Sequence, residues 1–152
     1  MSKPTSSHAY GIGVIAIIIA LSASVVFYTS FYLPESLAKP SVPEEILEAE
    51  VFDIKIVVGA VVEGNENYVP NKSEVILGFD NHAVWTNTDD TAHTVTPDVP
   101  YTDSYSGEFG SPGVIKPGDT YEFLFTQPGE ILYHCQPHPW MTGKISILAP
   151  KF

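Results

Sequence analysis

The segment Tyr133-His134-Cys135-Gln136-Pro137-His138-Pro139-Trp140-Met141 packs a thiolate, imidazoles and a thioether into nine positions. Soft sulfur ligands select copper, and imidazole suits it as well. A trigonal set of one Cys and two His, with a weak axial Met, is the arrangement proteins use to hold a single copper ion. The Cys135, His138 and Met141 spacing offers three of those ligands, and His93, far upstream, supplies the second imidazole. Taken singly, each has a plain structural reading. Cys135 would be a buried small hydrophobe, Met141 a core filler, and His93, close to Asp89 and Asp90, a surface residue. The combination at this spacing points to the metal.

Other metal centres fit less well. Structural zinc sites use four Cys or His ligands, and Met is not a usual one. A binuclear copper site would need a second Cys in the same loop, and Cys135 is the chain's one cysteine. Coupled copper centres need further histidine clusters. The remaining histidines offer none: His8 precedes the apolar segment, His82 lies in a turn beside Asn81, and His134 points to the face of its strand opposite Cys135. The chain therefore reads as an electron carrier rather than an oxidase. Pro137 and Pro139 flank His138 and limit the loop's conformations. A stiff loop suits a metal whose two oxidation states prefer different geometries.

The elements that must position these ligands read as β. Val51 opens an alternating stretch, FDIKIVVGAVV, and further short runs follow: SEVILG, HAVWTN, HTVT, TYEFLFT, ILYHC and GKISILA. His93 heads the HTVT run. Turn chemistry separates several of these runs, with a hairpin turn expected at Gly78-Phe79-Asp80-Asn81 and others at Lys116-Pro117-Gly118-Asp119 and Gln127-Pro128-Gly129-Glu130. Short strands with regular turn signals predict an all-β sandwich or barrel. Residues 97–113 carry no strand pattern and read as a long Gly/Ser/Pro loop.

The N-terminal part is different. No charged residue occurs from Tyr10 to Leu33, a stretch of about 36 Å as helix at about 1.5 Å per residue. It is read as an uncleaved transmembrane anchor, with a cleavable signal peptide as the alternative. Its apolar run is too long for a typical signal h-region, and its small-x-small sites are only partial. The expected layout is residues 1–9 as a short cytoplasmic terminus, 10–33 as the anchor, 34–50 as a Pro/Glu-rich tether and 51–152 as the copper domain. Lys3 precedes the span and acids follow it, a slight bias toward an extracytoplasmic domain. Pro34, Pro40 and Pro43 discourage a continuous helix in the tether. The alternative there is a helical turn of EEILEAE packed on the domain.

The net charge of −11 argues against nucleic-acid partners. Asp89, Asp90, Asp98, Asp103 and Glu108 are expected in loops around or after the first ligand. Sharing one face, they would steer a basic partner; the alternative is that they keep solvated loops soluble.

The segment from Tyr133 to Met141, together with Trp85-Thr86-Asn87-Thr88-Asp89 and Ala92-His93-Thr94-Val95, resembles the cupredoxins, the plastocyanin-like small blue copper proteins. The tight Cys-to-Met interval is most similar to that of amicyanin. Many members have Asn directly after the first ligand His, where this chain has Thr94. The resemblance spans roughly residues 51–149. It implies a Greek-key β-sandwich binding one mononuclear type 1 copper, cycling between Cu(I) and Cu(II) through His93, Cys135, His138 and Met141. It also implies outer-sphere electron transfer between redox protein partners, with His138 as the exit and no small-molecule substrate. Pro137, Pro139, Trp140, Met141 and Ala92 would form an apolar patch around that exit. Two further readings stand beside a tethered carrier: a fixed relay subunit of a membrane respiratory or oxidase complex, and a copper-holding or delivery protein.

Overall fold

The computed structural model describes residues 7–38 and 41–150. The chain divides into two units, Met1–Lys39 and Pro40–Phe152. Lys3, which bears on the expected membrane orientation, lies outside the described residues.

The first unit is helical. Helix α1 spans Ser7–Phe27, a π-helical turn covers Tyr28–Tyr32, and α2 spans Leu33–Leu37. Tyr10–Leu37 is long and apolar enough to cross a membrane, with a mean hydropathy of 2.4. The helix thus continues past the expected end at Leu33 and through Pro34. Proline lacks an N–H and crowds the carbonyl four residues back. The backbone widens just before it, where the Leu33 N–H bonds the Tyr28 carbonyl, five residues back. A π-turn of this kind absorbs the misfit without ending the helix.

The second unit is a β-sandwich. Its strands are β1 Val51–Ile56, β2 Tyr68–Val69, β3 Lys72–Ile76, β4 His82–Asn87, β5 Thr96–Pro97, β6 Thr102–Asp103, β7 Gly107–Glu108, β8 Thr120–Leu124, β9 Gly129–Cys135 and β10 His138–Leu148. One sheet has the order β2-β1-β4-β8 and the other β3-β10-β9-β5. In both, a parallel pair sits among antiparallel ones: β1 beside β4, and β10 beside β3. A small hairpin, β6-β7, interrupts the stretch expected to be a bare loop. The turn at Gly78–Asn81 is not a hairpin, because β3 and β4 belong to different sheets. Asn81 makes that crossover rigid. Its buried amide donates to the carbonyls of Ile46 and Phe125, and its Oδ1 accepts the Gly78 N–H. Ile46 lies on a one-turn helix, α3 (Glu44–Leu47), and packs on the core. Of the two readings of EEILEAE, the packed helical turn is the one observed.

The core is aromatic. Trp85 of β4 and Tyr133 of β9 are fully buried and meet across the sandwich, with Tyr68, Phe109, Phe123 and Phe125 around them. Burying such rings supplies most of the hydrophobic drive and fixes the separation of the sheets. The candidate ligands come from the end of β9, the start of β10 and the loop that follows β4.

Candidate metal centre

Strand β9 ends at Cys135 and β10 begins at His138, and these two residues are register partners. The connection is thus a tight hairpin whose two ends are both candidate ligands. Past His138 the register slips before resuming at Thr142. Met141 falls inside that irregular stretch, where its side chain turns inward and is fully buried.

His93 comes from a separate loop that is built by hydrogen bonds. The buried Asn87, last residue of β4, donates to the carbonyls of Thr91 and Ile115, while its Oδ1 accepts the Asp89 N–H. His93 and Ile115 then exchange both backbone hydrogen bonds, at 3.1 and 2.7 Å. His93 does not open a regular strand, as the HTVT pattern suggests; it forms one isolated bridge.

The three donors converge. Cys135 Sγ lies 3.7 Å from His93 Nδ1 and 3.5 Å from His138 Nδ1. All three ligand atoms fall within 4.8 Å of one another. A first-row ion about 2.0 Å from nitrogen and about 2.3 Å from sulfur, with an angle near 120°, holds N and S about 3.7 Å apart. The observed separations match that triangle. Cys135, His93 and Met141 have no exposed surface, while His138 is half-buried. His138 is therefore the one candidate ligand that reaches solvent.

Thr94 joins the two ligand loops. Its backbone N–H points at Cys135 Sγ at 3.4 Å, and its hydroxyl oxygen accepts the Gln136 N–H at 2.8 Å. The threonine thus makes the cross-loop contact itself. The Tyr68 hydroxyl donates to the Thr94 carbonyl at 2.5 Å, and burial drives its acidity far down. His134 turns away from the site and pairs with Asp98 on the outer sheet face. His82 sits at the start of β4 rather than in a turn, and pairs with Glu122.

Two of the five loop acids expected on the surface are buried. Asp89 meets His93 Nε2 at 2.9 Å, and Asp103 accepts hydrogen bonds from Tyr105, Ser106 and Thr126. Both side chains are spent inside the protein and cannot steer a partner. For Asp89, burial works against the charge, but hydrogen bonds from Gly59, His93 and Asp90 outweigh it and hold the carboxyl below the usual range. Asp90, Asp98 and Glu108 remain exposed. Met141, being buried, does not belong to the surface patch. Trp140 is 39% exposed, with its ring 5.4 Å from that of His138.

A β-sandwich with a thiolate and two imidazoles gathered at one end defines a cupredoxin. A sequence model of the copper binding proteins of the plastocyanin/azurin family matches residues 57–148, and the chain belongs to that family. Among solved structures, the purple cupredoxin of Nitrosopumilus maritimus is 26% identical with a TM-score of 0.51, covering 63% of this chain and 98% of that one. The copper-containing nitrite reductase of Thermus scotoductus SA-01 is 27% identical with a TM-score of 0.51. That match covers 67% of this chain but only 23% of the reductase. A mutant of amicyanin in its oxidised state, 23% identical with a TM-score of 0.50, covers 73% of this chain and all of its own. That likeness concerns the fold alone. No curated protein sequence matches the chain. The domain is thus a copper-binding cupredoxin, in a family whose members generally carry electrons.

Proposed function

We propose that His93, Cys135, His138 and Met141 hold one type 1 copper ion and that the chain carries single electrons at the outer face of a membrane. The observation that carries this reading is the convergence of Cys135 Sγ with two imidazole Nδ1 atoms at 3.5 and 3.7 Å. The bound metal supplies a reversible one-electron couple. The protein's part is to hold the donors still. Cys135 is fixed by the end of β9 and by the Thr94 N–H, and His93 by its bridge to Ile115. Fixed donors change little between oxidation states, which keeps the reorganisation cost low. Met141 would offer the bound ion a weak thioether ligand, and its burial keeps water away from that sulfur.

His138 is the exit for the electron. It reaches solvent beside Trp140, Pro137 and Pro139, all exposed. A small apolar contact there suits partners that must part quickly after each encounter. The long apolar helix at the N-terminus supports residues 10–33 as an anchor and an extracytoplasmic copper domain. The same helix favours a second reading, a fixed relay subunit of a membrane complex.

Absorption and EPR spectra of the copper-loaded chain test the site. An intense thiolate-to-copper band is expected, and Cys135→Ser is expected to remove it. An oxidised, copper-loaded wild type without colour overturns the reading. Co-purification of a larger redox complex from membranes separates the relay from the lone carrier.

A further inference from the structure

Of the two imidazoles that meet Cys135, one has a carboxylate behind it and, among the described residues, the other shows none. His138 is half-buried and meets Cys135 Sγ and the rings of His93 and Trp140. His93 has no exposed surface, and its Nε2 lies 2.9 Å from Oδ2 of Asp89, itself 3% exposed. We propose that Asp89 is the positioning residue for His93, selecting the imidazole tautomer that leaves Nδ1 bare toward Cys135. This inference rests on the copper reading above for its use, though not for its geometry.

The argument starts with the carboxylate. Its Oδ1 accepts two backbone N–H groups, from Gly59 and from Asp90, each at 3.0 Å. Those bonds fix the rotation of the side chain and leave Oδ2 for His93. A carboxylate oxygen in this position can only accept, so the proton between the two residues sits on Nε2. In a neutral ring the other nitrogen then carries a lone pair. That nitrogen is Nδ1, the atom 3.7 Å from Cys135 Sγ. A ring nitrogen binds a metal only when it holds no proton, so Asp89 sets the correct state before any ion arrives. A carboxylate behind a ligating imidazole also raises its basicity and favours the more highly charged metal.

The contact reaches further than one ring. Gly59 lies in the loop after β1, and its φ of +83° is one that side chains seldom adopt. That conformation aims its N–H at Asp89. The loop after β1 and the His93 loop thus meet on one carboxylate.

Asp89→Asn discriminates sharply, because it keeps the shape and changes the donors. If the amide oxygen still accepts from Gly59 and Asp90, its NH₂ faces His93. Nε2 must then accept, and the proton moves to Nδ1. The opposite rotamer sets the NH₂ against two backbone N–H groups. The first test needs no copper and no variant. Long-range proton–nitrogen NMR of the copper-free full chain in micelles, with ¹⁵N-labelled histidine, reads the tautomer directly. His93 protonated on Nε2 is expected; His93 protonated on Nδ1 in the wild type overturns the proposal. In Asp89→Asn, the expected results are a shift toward the Nδ1-protonated form and a loss of copper affinity of about 10- to 100-fold. The reduction potential of the loaded variant is expected to rise. An unchanged tautomer, affinity and potential in that variant overturns the proposal. Failure of the copper reading looks different: the wild type would show the Nε2-protonated ring and yet develop no thiolate band with copper.

Discussion

The Thr94 hydroxyl oxygen accepts the Gln136 N–H at 2.8 Å, tying the loop of the first histidine to the hairpin that carries Cys135 and His138. This one bond spans the two segments that must keep their distance for the three donors to meet. Thr94→Val preserves shape and removes the acceptor. The expected cost is about 1 kcal/mol in copper-free stability, the ordinary net worth of such a bond. A shifted reduction potential is expected alongside, with Thr94→Ser restoring both. Thermal unfolding and voltammetry check the pair of outcomes.

Met141→Gln is expected to keep copper and lower the potential, since a harder axial ligand favours the oxidised metal. Met141 has no exposed surface, so the replacement must also bury an amide. A stability loss of about 1–3 kcal/mol accompanies it if that amide finds no partner. Voltammetry and denaturant unfolding measure the two effects separately.

Gly143 stands where β10 crosses the ring of Tyr133. A Cβ built there would sit 2.2 Å from Tyr133 Cζ and 2.5 Å from its hydroxyl oxygen. Gly143→Ala must therefore displace that ring, whose hydroxyl oxygen accepts the Trp85 indole N–H at 3.2 Å in the core. Overpacking of this kind costs about 1–3 kcal/mol, and here a buried hydrogen bond is lost as well. A clear drop in Tm, with altered tryptophan fluorescence, is expected.

Asp103 gives the copper-free domain an acid-sensitive element away from the metal. Burial disfavours its charge, yet hydrogen bonds from Thr126, Tyr105 and Ser106 prevail and lower its pKa from the ordinary 3.8. A folded-state value below the unfolded one contributes stability that is fully present above the unfolded value. That contribution is lost as pH falls below about 3.8 toward the folded value. Asp103→Asn is expected to destabilise the domain at neutral pH and to flatten this part of the acid limb. Urea midpoints followed down to well below pH 3.8 check it.

The candidate ligands were legible because three of them lie within one short segment and their chemistry is specific. The long strands were legible because Phe123 and Phe125, or Trp85 and its neighbours in HAVWTN, alternate with a period of two. Strands β2, β6 and β7 are two residues each, too short for any period to show. Asp89 and Asp103 were misjudged for a different reason. An Asp-Asp pair beside a turn, or an Asp in a Ser/Gly-rich loop, has the composition of solvated chain. What buries them is distant in sequence: the Gly59 N–H for Asp89, and Thr126 for Asp103. Likewise, nothing local in Gly78-Phe79-Asp80-Asn81 reveals that Asn81 reaches Ile46 and Phe125 and carries the chain between sheets.

His138 is the single candidate ligand at the surface, and this bears on how the protein acquires its metal. Asp89, Thr94, Asn87 and the Ile115 bridge hold the loops with the protein's own bonds, so the three donors converge without help from a metal. Among the described residues, His138 is the candidate ligand that reaches solvent, beside the exposed Trp140, so an arriving ion would meet these two first. On the function proposed above, electrons would leave by the same opening. A redox partner seated on His138 therefore also stoppers the site against copper loss. Loading and electron delivery become competing uses of one doorway, and a chaperone that supplied the ion would have to leave before the first turnover.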